Sequence, residues 1–254
     1  MIEANQLYKT YSIVEKELGL KGSIKAFFRP KKKQIHAVQN ISLTVQKGEI
    51  IGYIGSNGSG KSTTIKMLTG VLYPDRGSVK INGLTPQKHR TAVNKQIGVL
   101  FGQKSHLRWD IPVLESFILH AKIYDVPDKV FEERLEQLID LLQLGDFIHQ
   151  PVRNLSLGQR VRCEFAAIFI HQPAVVFLDE PTIGLDASVK ETIRSFIRFM
   201  NMEHQTTFLI TSHDMQDIEA LTNRILLIGK GRILMDGSPE ELKQDAASRR
   251  KTGL

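Results

Sequence analysis

The sequence contains only one cysteine and lacks a long apolar run. Both features narrow the classes of protein to which it can belong. One cysteine, Cys163, excludes an internal disulfide framework and suits a reducing compartment. No apolar run approaches the roughly 20 residues of a bilayer-spanning helix, so we expect no transmembrane segment. The first residues lack the apolar centre of a signal peptide, which argues against secretion. We expect Cys163 to be a buried, unreactive thiol.

The bulk composition is that of an ordinary globular protein. The chain has 254 residues, of which 41% are hydrophobic and 24% are charged, so it is long enough for one large domain or two small ones. Neither an internal repeat nor a low-complexity tract is apparent. The formal net charge of +7 indicates an anionic partner. A nucleotide, a nucleic acid and a phospholipid surface all qualify on charge alone.

Apolar runs predict strands on both sides of a helical stretch. The predicted strands are 50–54, 78–81, 99–100, 175–178, 208–210, 225–228 and 232–235. Between residues 110 and 171 the pattern is helical, with Asp110 as a predicted cap and Pro112 in the first turn of its helix. Apolar residues at helical spacing predict an amphipathic helix over 128–144. This order predicts an α/β core that carries a helical insertion.

The loop GSNGSGKS at 55–62 matches G-x-x-x-x-G-K-[ST] and lies between a predicted strand and a predicted helix. Its glycines let successive backbone N–H groups converge on an anion, and the following helix directs its positive end to the same place. We expect Lys61 to reach the β- and γ-phosphates of a nucleotide and the Ser62 hydroxyl to bind Mg²⁺. The alternative is a flexible turn without a ligand, and the position between a strand and a helix disfavours it. The predicted phosphate-binding residues are Gly55, Ser56, Asn57, Gly58, Ser59, Gly60, Lys61, Ser62 and Thr63.

Two adjacent carboxylates follow the apolar run at 175–178. Asp179 and Glu180 would emerge at the carboxyl end of a central strand, where ligands bind in open α/β sheets. Asp179 is placed to hold Mg²⁺, and Glu180 is the candidate general base for an attacking water molecule. The alternative, that both acids simply begin the next turn, is disfavoured beside a phosphate loop.

Taken together, these motifs resemble those of the ATPase subunit of ABC transporters, and the resemblance covers nearly the whole chain. They occur in the order of that family: the phosphate loop or Walker A motif at 55–63, the Q-loop glutamine Gln103, the signature LSLGQ at 155–159, the Walker B motif at 175–180, the D-loop at 184–186 and the switch histidine His213. The resemblance is strongest to exporters of the ABC-2 type.

The resemblance implies a fold and a division of the chain. The fold class is α/β, a P-loop NTPase core with an antiparallel β subdomain and an inserted α-helical subdomain. The predicted parts are a core at 1–102 and 173–236, a helical subdomain at 103–172, a basic amphipathic insertion at 12–35 and a charged tail at 237–254.

The resemblance also implies head-to-tail homodimers with ATP between them. In such a dimer, Ser156, Gly158 and Gln159 of one copy would contact the ATP that Lys61 of the other copy holds. Gln103 would touch Mg²⁺ or the attacking water. The signature departs from the family at one position, where Leu157 replaces the usual middle glycine, but we expect the contact across the dimer to survive.

The family's remaining site positions can be carried over in the same way. His213 would bind the γ-phosphate and keep Glu180 in line, and Asp186 would signal between the two sites. An aromatic residue after the first strand stacks on adenine in this family. Spacing favours Tyr11 over Tyr8, and the alternative is an ordinary packed or surface tyrosine.

One segment has no counterpart in most ATPase subunits of this family. Apolar residues in 18–30 fall on one helix face, and basic residues flank them. A basic amphipathic helix is typical of membrane-interfacial or partner-docking segments, so we expect peripheral membrane contact through 18–33. The alternative is a helix that packs on its own domain with its charges solvated. In the same way, Arg108 and Trp109 either meet a membrane subunit or belong to the helical subdomain.

The predicted function is that of an ATPase, with ATP and Mg²⁺, at the cytoplasmic face of a membrane, which powers export through a separate transmembrane permease. An alternative is an ABC-type ATPase that acts on the ribosome or on nucleic acid, which the positive charge permits. Translation factors of this superfamily usually carry two cassettes, and its DNA-repair members carry zinc cysteines or long coiled coils, so we expect no nucleic acid partner. A nucleotide switch that never hydrolyses is disfavoured by Glu180.

Overall fold

The structure, a computed structural model, describes residues 1–14, 32–101, 105–212 and 215–244. Its strands are β1 (Ile2–Val14), β2 (Lys32–Val45), β3 (Ile50–Gly55), β4 (Arg76–Ile81), β5 (Ile97–Phe101), β6 (Val175–Asp179), β7 (Thr207–Ser212), β8 (Arg224–Gly229) and β9 (Arg232–Gly237). Its α-helices are α1 (Lys61–Leu68), α2 (Arg90–Asn94), α3 (Val113–Ile123), α4 (Asp128–Leu142), α5 (Leu157–Phe169), α6 (Ala187–His204) and α7 (Met215–Glu219). Within the described ranges, no helix combines the length and the apolar composition of a membrane span.

The strands form two sheets. A three-stranded antiparallel sheet has the order β2-β1-β4, and a six-stranded sheet has the order β5-β6-β7-β3-β8-β9. In the larger sheet the pairs from β5 to β8 are parallel, and β9 joins the edge in the antiparallel sense. The helices α3, α4 and α5 lie in the chain between β5 and β6. The predicted fold class, with its antiparallel β subdomain and inserted helices, is therefore confirmed.

The strand that leads into the phosphate loop is buried on both faces. Ile51 and Tyr53 of β3 belong to a core shared with α1 and the antiparallel sheet. Ile54 belongs to a second core, formed with the helices on the other side of the sheet. Covered parallel strands read as unbroken apolar runs, which is why the sequence predicted this strand correctly.

The second core also fixes helix α5. Phe165 and Phe169 of α5 meet Phe196 of α6 edge to face, with ring centroids 6.1 Å and 4.9 Å apart. Full burial of one phenylalanine side chain contributes about 1.5–3 kcal/mol to the free energy of folding. Cys163 is buried in the same core, and burial raises the pKa of its thiol to about 12. Its thiolate is therefore scarce at neutral pH, which agrees with the prediction of an unreactive thiol.

The structure departs from one prediction outside the phosphate site. Helix α3 begins at Val113 with Pro112 at its N-cap, and Asp110 does not cap it but pairs with Arg153, with 3.0 Å between Oδ1 and Nη1. Strands β1 and β2 pair as far as residues 14 and 32, so the two ends of the predicted insertion, residues 12–14 and 32–35, continue these strands. The predicted amphipathic helix at 18–30 lies outside the described residues.

Candidate functional site

The predicted phosphate loop connects β3 to α1 and needs glycine at two positions. Gly60 has φ 107°, and a Cβ atom there would lie 2.4 Å from the carbonyl oxygen of Ala37. A Cβ atom on Gly55 would lie 2.4 Å from the carbonyl oxygen of Ile228. Contacts this short do not occur with real side chains, so the loop can approach β2 and β8 only because it lacks these two Cβ atoms.

Lys61 is the first residue of α1, and its side chain turns back into the loop. Its Nζ atom donates to the carbonyl oxygen of Gly55 at 2.6 Å and to that of Ser56 at 3.3 Å. The same atom lies 3.9 Å from Oε1 of Glu180, and Lys61 is only 5% exposed. A buried ammonium group at a helix N-terminus makes this point strongly attractive to an anion.

A cavity of about 510 Å³ opens at the loop, within the size range of small-molecule sites. Of the predicted site residues, it is lined by Asn57, Gly58, Gly60, Lys61, Ser62, Thr63 and Glu180. The remaining wall comes from residues without a motif, namely Ile35, His36, Ala37, Gln39 and Lys230. The sequence offered no signal for that wall, because it is built by long-range packing of β2 against the loop.

The loop is held from behind by residues that do not line the cavity. Ser59 is buried, and its N–H group donates to the carbonyl oxygen of Ser56 at 3.1 Å. The N–H group of Gly231, in the turn between β8 and β9, donates to the carbonyl oxygen of Ser59 at 2.9 Å. These bonds fasten the loop to the edge of the larger sheet.

The two predicted carboxylates lie at the end of β6, and Thr211 of β7 connects them. The Thr211 hydroxyl donates to Oδ1 of Asp179 at 2.7 Å, and it accepts from the N–H group of Glu180 at 3.0 Å. Glu180 has φ 54°, a left-handed conformation that is unusual for a residue with a side chain. Sequence reasoning missed Thr211, although it stands two positions before the predicted switch histidine.

The predicted signature begins α5 with a complete capping box. The Ser156 hydroxyl accepts from the N–H group of Gln159 at 3.3 Å, and the N–H group of Ser156 donates to Oε1 of Gln159 at 2.8 Å. Leu157 is the first helical residue and is 45% exposed, so its side chain leaves this cap intact. A Cβ atom on Gly158 would lie 2.9 Å from Cγ2 of Val189 in α6, so a larger residue here would require the Val189 side chain to shift.

The remaining predicted residues lie around this centre. Asp186 caps α6 by accepting from the N–H group of Val189 at 2.9 Å. Tyr11 lies within β1, is 39% exposed and pairs across the ladder with Ile35, which lines the cavity. Gln103 and His213 lie outside the described residues.

The structure therefore brings the phosphate loop and Glu180 together, and Asp179 beside Glu180. It does not place the signature on the same cavity, because the residues predicted to contact ATP from the second copy are absent from its lining, namely Ser156, Gly158 and Gln159. Asp179 and Asp186 are also absent from this lining. In the part of the chain that the structure describes, no group of three or more His, Cys, Asp or Glu side chains is arranged to hold a metal ion.

Comparisons with known proteins identify relatives of this chain in sequence and a similar fold among solved structures. The sequence pattern described as ABC transporter matches residues 38–183. The ABC transporter ATP-binding protein NatA of Bacillus subtilis is 33% identical over 221 residues, which cover 87% of this chain and 89% of that protein. The energy-coupling factor transporter ATP-binding protein EcfA1 of Listeria monocytogenes is 30% identical over 230 residues, which cover 90% of this chain and 82% of that protein. In structure, the ATP-binding cassette MJ0796, in a dimeric post-hydrolysis state with ADP and Pi, gives a TM-score of 0.77 at 22% identity and covers 94% of this chain and 99% of that one.

Proposed function

The chain belongs to the ABC transporter family and is an ATP-binding subunit that hydrolyses ATP, and from this premise we propose that two copies enclose ATP head to tail and drive a separate transmembrane permease. The observation that carries the hydrolytic site of this proposal is the distance of 3.9 Å between Nζ of Lys61 and Oε1 of Glu180, at the wall of one cavity. A phosphate-binding cation and a candidate base thus meet where a terminal phosphate would lie.

Lys61 and Glu180 then divide the work of hydrolysis. The Lys61 ammonium group and the N–H groups of the loop hold the β- and γ-phosphates and spread their negative charge. The Glu180 carboxylate accepts a proton from the attacking water as the new oxygen–phosphorus bond forms. The bond between the γ-phosphorus and the β–γ bridging oxygen breaks in the same step, so ADP leaves and inorganic phosphate is the second product. Thr211 keeps the Glu180 backbone in its left-handed conformation, which directs the carboxylate into the cavity. When the γ-phosphate leaves, the charge that joined the two copies is lost.

Mg²⁺ fits the oxygen donors at this site. This ion usually takes only one or two protein ligands and completes its shell with water and substrate phosphates. Ser62 lines the cavity. Asp179 does not line it, but it ends β6 directly before Glu180, and its Oδ1 accepts from the Thr211 hydroxyl at 2.7 Å. We assign these two residues to Mg²⁺, together with Gln103 from outside the described residues. When bound, the ion neutralises charge on the phosphate oxygens.

The signature would complete the site from the second copy. The N-terminus of α5 carries Ser156, and its partial positive charge would face the γ-phosphate bound by the other chain. Its position away from the phosphate cavity of its own chain supports this arrangement. The intact capping box supports a working signature despite Leu157. Asp186 and His213 would communicate between the two sites.

The part of the cavity wall that β2 supplies would receive the nucleoside. Ile35 and His36 of β2 line the same cavity as Lys61, so the ribose and base would contact β2 while the phosphates lie at the lysine. Tyr11 is the cross-strand neighbour of Ile35, which supports a stacking contact between this tyrosine and adenine.

Export is the direction of transport that the motifs favour. The stretches FGQKS at 101–105 and DEPTIGLD at 179–186 resemble those of ABC-2 exporters. The chain would sit at the cytoplasmic face of the membrane and touch the surface or the permease through 18–33. Each basic residue near an anionic leaflet contributes roughly 1 kcal/mol to such binding.

The permease partner can be tested by capture. The Glu180→Gln chain, loaded with ATP and cross-linked to solubilised membranes, should recover an integral membrane protein. The same chain without residues 18–30 should bind ATP equally well but lose most of this recovery, because the basic segment is gone. Recovery of ribosomes or DNA in place of a membrane protein would favour the nucleic acid alternative and contradict the proposal.

A further inference from the structure

Helix α5, which begins at the signature, carries one acidic side chain, and this side chain is buried. Glu164 is 6% exposed. Glutamate is almost never buried to this degree unless its carboxylate is paired. We infer that Glu164 is a positioning residue that sets the direction in which α5 presents Ser156 to the second copy. This inference rests on the head-to-tail dimer proposed above.

Both carboxylate oxygens of Glu164 are hydrogen-bonded to one segment of chain. Oε1 accepts from the Ser105 hydroxyl, and Oε2 accepts from the N–H group of His106 at 2.8 Å. Nε2 of His106 lies 2.7 Å from the carbonyl oxygen of Val99 in β5. A chain of polar contacts therefore runs from the middle of α5 to the edge strand of the larger sheet.

This connection differs from the contacts that Arg162 makes from the same helix. Arg162 donates to the carbonyl oxygens of Leu142 and Gln143, at the end of α4, and its guanidinium lies 5.0 Å from the ring centre of Phe147. Arg162 thus ties α5 to its helical neighbours, whereas Glu164 ties it to the sheet that carries the phosphate loop.

The position of Glu164 along α5 allows its hydrogen bonds to affect the direction of the signature turn. It lies eight residues after Ser156, which is about 12 Å along an α-helix. The first turn of α5 is exposed or half-buried, whereas the residues from Cys163 to Phe169 are buried. Glu164 therefore sits where the buried part of the helix begins, and a loss of its bonds would let the exposed turn change direction relative to the phosphate loop.

His120 and His171, which lie farther along the stack of rings that begins at His106, do not supply a competing charge. Burial lowers the pKa of His120, and it lowers the pKa of His171 to about 4. Both are therefore neutral at physiological pH. Hydrogen bonds to Ser105 and His106, rather than an ion pair with these rings, hold the Glu164 carboxylate.

The test measures ATP-dependent dimerisation of the Glu180→Gln chain by analytical ultracentrifugation. Adding Glu164→Leu should raise the dissociation constant of the dimer about tenfold. The N–H group of His106 loses its hydrogen-bond acceptor, and α5 loses its polar connection to the larger sheet. The affinity of the separate chain for ATP should change less than about twofold, which is within the effect of a surface substitution. Glu164→Gln should retain most of the dimer affinity, because its amide can accept from His106 and donate to the Ser105 oxygen.

Two further variants keep the test decisive. Ser105→Ala leaves α5 unchanged and removes one of the two bonds to Glu164, together with the contacts of the Ser105 hydroxyl with the backbone of Leu107. It should therefore weaken the dimer in the same direction if Glu164→Leu fails to fold. Arg162→Gln is the matched control: it should lower the unfolding temperature and leave the dimer affinity unchanged.

The possible outcomes separate this inference from the proposed function. If Glu164→Leu and Ser105→Ala lower the unfolding temperature but leave the dimer affinity unchanged, Glu164 is merely structural and the inference is wrong. If the Glu180→Gln chain alone forms no dimer with ATP, the proposed function fails and the inference fails with it.

Discussion

Replacing Glu180 with glutamine should lower the rate of ATP hydrolysis by about 10²–10⁴-fold, the usual contribution of a positioned general base. Glutamine keeps the size of the side chain and the backbone bond from residue 180 to Thr211, but its amide cannot accept the proton of the attacking water. ATP affinity should stay within a few-fold of the wild-type value, because the phosphate loop is unchanged. Phosphate release measures the first quantity, and titration calorimetry measures the second.

Glu203→Gln is the matched control for this substitution. It removes the same charge from an exposed position near the end of α6 and should leave turnover unchanged. Turnover close to wild type in the Glu180→Gln chain would refute the assignment of Glu180 as the base. Loss of ATP binding instead of turnover would assign Glu180 to binding.

Replacing Lys61 with methionine should weaken ATP binding by about 10- to 150-fold, the range for a lost hydrogen bond to a charged group. Methionine fills a similar volume, so the buried site should keep its packing while the ammonium group disappears. Hydrolysis should fall further, because the charge developing on the transferred phosphoryl group also loses its cation.

Lys66→Met provides the control for Lys61. Lys66 lies on the same helix α1 but is exposed, so its replacement should change neither ATP affinity nor turnover. Equal effects of the two substitutions would mean that Lys61 acts only through net charge. Full ATP affinity in the Lys61→Met chain would contradict the phosphate site.

The sequence predicts the centre of this site well because local chemistry determines it. A loop that turns from β3 into α1 with φ 107° at Gly60 can be built only from certain residues, and they stand next to each other in the chain. The same is true of the start of α5. Its helix cap needs only Ser156 and Gln159, and their spacing is visible in the sequence.

The parts that the sequence did not predict depend on contacts between distant segments. His36 reaches the cavity because β2 packs beside the phosphate loop. No sequence pattern around residue 36 predicts that contact. Thr211 joins Asp179 and Glu180 because β6 and β7 are neighbours in the sheet, a pairing that apolar runs do not specify. Asp110 satisfies the rule for a helix cap, but α3 takes Pro112 as its N-cap, and the Asp110 carboxylate pairs with Arg153 instead.

The most direct measurement of the central claim mixes two inactive chains. Lys61→Met disables the phosphate loop, and Ser156→Asp keeps a good helix cap but sets a negative charge against the γ-phosphate of the other copy. Each chain alone should be nearly inactive. In an equimolar mixture, half of the dimers would contain one chain of each kind, and one of their two sites would be intact, so about a quarter of wild-type hydrolysis should return. A mixture as inactive as its components would contradict a site shared between two copies.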